Sequence, residues 1–132
     1  MTILLTAILT LIALFHLAWG FNIWIPIRDE AALTRAVVGA KDVTRMPGTI
    51  PCVLVVAGLL IVILAMWFPQ FAAARLVLWA GAVVFILRGA IAYTATCRPM
   101  TPQEPFATLD PRIHTPLCFP LRAGLLFTIF GG

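Results

Sequence analysis

Apolar residues along this chain do not alternate or recur on a narrow stripe; they run together in four blocks, at about residues 2–27, 49–68, 73–96 and 115–130. Each block approaches the ~20 residues that a helix needs to cross a bilayer. The pattern predicts an all-α polytopic membrane protein, with four transmembrane helices in one antiparallel bundle and a single domain covering residues 1–132. The first block lacks a basic leading segment and a small-residue cleavage site, so it is read as a retained first helix rather than a secretion signal.

The polar stretches between the blocks fix the connections. Pro26 and the Ile-Arg-Asp-Glu sequence after it mark the end of the first span, at a surface called side B here. Between residues 30 and 46, Leu33, Val37, Ala40 and Val43 recur at helical spacing while Arg35, Asp42 and Arg45 fall on the other side. That spacing predicts an amphipathic interfacial helix in the first loop, with Gly39 as its weak point. Thr49 and Pro51 read as the capped start of the second span. The short link from Pro69 to Ala72 turns the second and third helices into an antiparallel pair at the opposite surface, side A, where Trp67, Phe68 and Phe71 are interfacial anchors. Residues 97–114 form a second side B loop containing Pro99, Pro102, Pro105 and Pro111, and Thr115-Pro116 reads as a cap with proline at the first helical position. Pro120 is expected to kink the last helix.

Composition agrees with this class: 62% of residues are hydrophobic and 11% charged, too apolar a chain to hide as a soluble domain. The net charge of +4 does not point to nucleic acid, because the basic residues are dispersed and no aromatic-interleaved patch gathers them. Of the nine Lys and Arg residues, Arg28, Arg35, Lys41, Arg45, Arg98 and Arg112 sit toward side B and only Arg75 near side A. The positive-inside rule then places side B in the cytoplasm and both termini outside.

Arg88 and Arg122 lie inside the spans, where a charge is costly and marks a functional or carefully paired position. With the span ends read as above, both sit roughly 10 to 12 Å below side B, level with His16 and Trp19. No span contains Asp or Glu. The guanidiniums therefore either snorkel toward headgroups, or pair with Asp110 or Glu104 reaching in from the loop, or hold an anionic or carbonyl-bearing amphiphile whose tail lies among the helices. His16 reads as a hydrogen-bonded core residue, a proton donor or a ligand; haem fits poorly because a second spanning histidine is missing. Cys52, Cys97 and Cys118 lie toward side B with Met46, Met100 and His114, a soft-donor set without a Cys-x-x-Cys, and ordinary buried thiols explain it as well. No metal site and no catalytic set is assigned, and the cofactor is left unknown.

Several strings together resemble a family of small four-helix bacterial membrane proteins known as a domain of unknown function. They are His16-Leu17-Ala18-Trp19-Gly20, Leu87-Arg88-Gly89, and Phe106-Ala107-Thr108-Leu109-Asp110-Pro111-Arg112 leading to Pro116-Leu117-Cys118. The resemblance implies a bacterial four-helix protein and singles out Trp19, Arg88, Asp110, Arg112 and Cys118. The chain departs from the family in carrying Ile113-His114 before the Thr-Pro-Leu-Cys string, where the family is associated with an aromatic residue, and in carrying Arg122. With His16, these residues make a ligand-binding set: Arg88, Arg122, His16, Trp19, Asp110, Arg112 and Cys118. Three functions fit them: binding of a lipid-like, quinone-like or isoprenoid amphiphile, an accessory subunit of a larger membrane complex, and a membrane enzyme acting on an anionic amphiphile. Membrane lipids are the expected surroundings in each, and an enzyme has the least support.

Overall fold

The computed structural model describes residues 1–131 and is all helical, in the order α1 Thr2–Gly20, α2 Glu30–Val37, α3 Thr49–Trp67, α4 Ala72–Ala92, α5 Phe106–Leu109 and α6 Thr115–Phe130. A 3-10 turn occupies Arg98–Met100. A wider π turn at Asp110–His114 joins α5 to α6. Four stretches are long and apolar enough to cross a membrane: Thr2–Gly20, Thr49–Trp67, Ala72–Ala92 and the continuous Phe106–Phe130.

Three span ends differ from those read in the sequence, each for a local reason. The first span stops at Gly20 rather than near residue 27, because Asn22 enters the left-handed region at φ 59° and the N–H groups of Phe21, Asn22 and Ile23 fold back onto the last carbonyls. Thr49 Oγ1 donates to the Gly20 carbonyl at 2.8 Å, closing the exposed end against the start of α3. The third span stops at Ala92 rather than near residue 96: Thr94 Oγ1 donates to the Ile91 carbonyl at 2.7 Å and accepts from Cys97 N–H at 3.2 Å, competing with the helical ladder.

The largest difference is at the last span, which begins at Phe106 instead of residue 115. Glu104 makes that start, its carboxylate accepting from the Thr108 N–H at 3.2 Å and the Thr108 hydroxyl at 2.9 Å. Pro111 and Pro116 cannot donate to the carbonyls four residues back. The ladder widens into the π turn and continues instead of breaking. Asp110 consequently belongs to a spanning helix and not to a loop. The interfacial helix is also shorter than the 30–46 pattern suggested: Asp29 caps it by accepting from Ala32 N–H at 2.6 Å, and it ends before Gly39, whose φ is +64°. Its Leu33, Thr34 and Ala36 are buried in the protein.

The packing is uneven along the membrane normal. In the half nearer side A all four spans share one core: Leu5 and Leu9 of α1, Ala65 and Met66 of α3, Leu78 and Ala82 of α4, and Leu121, Leu125 and Ile129 of α6. Trp67 Nε1 donates to Thr6 Oγ1 at 3.2 Å, and Trp79 meets Phe130 edge-on, bracing the same end. Gly124 lets Leu5 approach so closely that a Cβ there would sit 2.6 Å from Leu5 Cδ1. The most extensive contacts over the whole bundle are within two pairs, α1 along α3 and α4 along α6, with α1 and α6 touching only sparsely. The two long loops cover the side B end and are stitched together: Lys41 N–H donates to Met100 O, Gln103 N–H to Gly39 O, and Gln103 Nε2 to the carbonyls of Ala40 and Val43. Glu30 Oε1 takes the Met46 N–H at 3.1 Å and ties α2 to the start of α3.

Candidate functional site

Arg88 and Asp110 form the centre of the polar half. Arg88 lies four residues before the end of α4 and Asp110 four residues after the start of α5, and the long arginine side chain reaches the carboxylate. Arg88 Nη2 donates to Asp110 Oδ1 at 2.5 Å, a charge-assisted bond. The burial is asymmetric: the Asp110 side chain is 9% exposed and that of Arg88 is 44% exposed. The carboxylate is therefore locked in protein while the far side of the guanidinium remains open.

Around this pair the wide turn positions a small polar group. His114 Nδ1 lies 3.8 Å from the same Asp110 oxygen, an electrostatic neighbour beyond hydrogen-bond length. Its ring packs against Phe106 with centroids 5.6 Å apart. Cys118 Sγ donates to the His114 carbonyl at 3.4 Å. The Tyr93 hydroxyl donates to the Pro111 carbonyl at 3.0 Å, which occupies the acceptor that a helical Thr115 would ordinarily use four residues back. Thr115 Oγ1 is fully buried with no partner among the described residues. A pocket of about 70 Å³ reaches Asp110 from the loop side, between Ala92, Arg98, Thr101, Ala107 and Pro111.

The other expected site residues are placed elsewhere. Gly89 faces Cys118 and Phe119, which puts Arg122 about one helical turn deeper than Arg88 instead of at matching depth. Arg122 is half-buried, and among the described residues no carboxylate lies within ion-pair distance of it. Arg112 is exposed on the π turn. His16 and Trp19 belong to the α1/α3 pair and line a separate pocket of about 140 Å³ with Met46 and Cys52. His16 Nδ1 lies 2.8 Å from the Ile12 carbonyl, and Trp19 Nε1 donates to the Ile25 carbonyl at 2.8 Å. The expected common level of His16, Trp19, Arg88 and Arg122 is thus divided between two helix pairs. Neither arginine lines either of these two pockets. Among the described residues, no three His, Cys, Asp or Glu side chains gather into a metal-binding group.

Sequence reasoning passed over Tyr93 and Gln103, and read Glu104 only as a loop acid that could pair with an arginine. Tyr93, the chain's single tyrosine, standing at the end of an apolar block, was the available signal; the roles of Glu104 and Gln103 depend on how the loops fold and left no local trace.

Four spans, two of them joined by a half-buried ion pair, define a multi-pass α-helical membrane protein. Residues 9–127 match the family described as "Protein of unknown function (DUF3995)", and the chain belongs to that family. No curated protein and no solved structure shows significant similarity to it.

Proposed function

We propose that the protein binds the anionic or carbonyl-bearing head of a membrane amphiphile, lipid-like, quinone-like or isoprenoid, against the α4/α6 pair. The observation that carries this reading is Arg88: one guanidinium nitrogen is bound to buried Asp110, yet 44% of the side chain is still exposed at membrane level. Asp110 holds the planar fork in place, and its remaining donors suit phosphate, carboxylate or a polarised carbonyl. Arg122, one turn deeper and with no carboxylate within ion-pair distance among the described residues, adds positive potential along the path of the tail. Native mass spectrometry of the purified chain, with extraction of retained lipids, tests this. A stoichiometric amphiphile is expected, with retention falling about tenfold or more in Arg88→Lys, which keeps the charge and loses the fork. Equal retention by Arg88→Lys would reduce Arg88 to a snorkelling charge and sink the reading.

Arg122 also favours a second reading, an accessory subunit: an acid on a neighbouring membrane helix would neutralise it. A protein that co-purifies stoichiometrically and is lost in Arg122→Leu would select this alternative.

We further propose that the protein resides in a bacterial inner membrane with side B in the cytoplasm, supported by the basic residues Arg28, Arg35, Lys41, Arg45, Arg98 and Arg112 at that end. In a chain whose native cysteines are replaced by serine, a cysteine at Lys41 should escape an impermeant thiol reagent applied to intact cells, while one at Gln70 should react. The reverse pattern would invert the topology.

A further inference from the structure

The cavity between α1, α3 and the first loop brings together three donors that lie far apart in sequence. His16, Met46 and Cys52 all line the same space of about 140 Å³. Met46 and Cys52 are buried, with 8% and 4% of their surface exposed. We propose that this cavity is a copper(I) site, with the His16 imidazole, the Met46 thioether and the Cys52 thiolate as ligands.

The chemistry of the set selects the ion. Thioether and thiolate sulfur are soft donors that favour copper(I), and imidazole completes a three-coordinate nitrogen–sulfur environment. No carboxylate lines the cavity, so a hard ion such as calcium or magnesium finds none of the oxygen ligands it requires. His16 is prepared for the role. Its Nδ1 is 2.8 Å from the Ile12 carbonyl, and a carbonyl only accepts, so Nδ1 carries the proton and Nε2 keeps its lone pair. Metal-bound histidines typically show this arrangement, the second ring nitrogen donating to a backbone carbonyl and fixing tautomer and orientation. Trp19 stands beside it with ring centroids 5.0 Å apart, held by its own bond to Ile25, and presents an aromatic wall to a cation. Met46 is positioned by the Glu30 bond to its N–H, and Cys52 by the close approach of α3 to Gly20. Binding would displace the thiol proton to solvent as the sulfur–copper bond forms, with no change of oxidation state. The site is independent of Arg88 and Asp110, which lie on the other helix pair.

The test uses the full chain in detergent micelles, anaerobic and reduced, titrated with copper(I) against bicinchoninate as chromophoric competitor. About one copper(I) per chain should be withheld from the competitor, with quenching of Trp19 fluorescence. Losing even an outer-shell partner of a metal site typically costs ~10–100-fold in affinity, so Met46→Leu and Cys52→Ser should each weaken binding by roughly a hundredfold. Met46→Leu conserves volume and keeps the fold, so the result does not depend on the more tightly packed cysteine. Cys97→Ser and Cys118→Ser should leave the affinity unchanged. Complete surrender of copper to the competitor, an affinity untouched by Met46→Leu, or one lost with Cys97→Ser would each overturn the assignment.

Discussion

Replacing Arg88 by methionine is expected to destabilise the protein more than replacing Asp110 by asparagine, although the two side chains share one bond. The reason is the asymmetry of burial: the carboxylate is 9% exposed and the arginine side chain 44%. Without Arg88, an enclosed carboxylate loses its counter-charge and keeps, among the described residues, His114 at 3.8 Å as its remaining basic neighbour. Breaking a buried ion pair by removing one partner costs about 3 kcal/mol or more, most of it the cost of the stranded charge. Without the Asp110 charge, the arginine can turn its long side chain outward to the headgroups, and asparagine still offers a carbonyl oxygen, so the loss is about 1 kcal/mol. The double replacement Arg88→Met with Asp110→Asn removes both charges and should recover most of the Arg88→Met loss. Unfolding midpoints in a single detergent check this. Equal single effects, or a double variant that merely sums its singles, would show that the pair is not coupled as the geometry indicates.

Stability and binding separate at this pair. Asp110→Asn should fold nearly as well as the parent chain yet hold the guanidinium less firmly, so amphiphile retention should fall further than the unfolding midpoint does. A residue that only filled space would move both together.

The spans themselves were legible because a bilayer requires long apolar runs, and nothing else in a chain of 132 residues produces four of them. Their ends were not legible to the same degree. Asn22 stops α1 by taking a left-handed conformation, and Glu104 starts the last helix by accepting from Thr108, choices of backbone and rotamer that periodicity does not carry. The second of these shifted the site. Once the helix begins at Phe106, Asp110 belongs to it and is bound by the Arg88 side chain, while Gly89 against Cys118 and Phe119 puts Arg122 about a turn below Arg88. Pairing of Asp110 with an arginine was one of the readings open from sequence; which arginine depended on the register of α4 against α6, set by Gly89 against Cys118 and Phe119. The division of His16 and Trp19 from Arg88 depended on which helices pair, and four apolar segments of similar composition do not encode that order.

Gly39 is where the loop cap and the ion pair are mechanically joined, and Gly39→Ala is expected to disturb both. At φ +64° an alanine is strained by roughly 1 kcal/mol, and its Cβ would run into Cβ, Cγ and Cδ1 of Phe106. The first of these atoms is fixed by the backbone, so a rotamer change cannot clear it. The start of α5 must shift. Forcing a methyl into such a seat adds about 1 to 3 kcal/mol, for a total near 3 kcal/mol. Phe106 carries the His114 ring and stands one turn before Asp110, so the shift reaches the Arg88 bond. It also pulls on Gln103, whose N–H and side chain hold the residues around Gly39. Gly39→Asn separates the two causes: asparagine tolerates the left-handed conformation but keeps the Cβ, so it should be no better than alanine. Gly58, inside α3 with no atom within 4 Å of where a Cβ would sit, should accept alanine at no cost. Thermal midpoints in detergent give the ranking, and tryptic cleavage after Arg45 reports whether the cap has opened. If Gly39→Asn kept the parent midpoint and resisted cleavage, backbone strain alone would explain the glycine, and the proposed link from the cap through Phe106 to the ion pair would be lost.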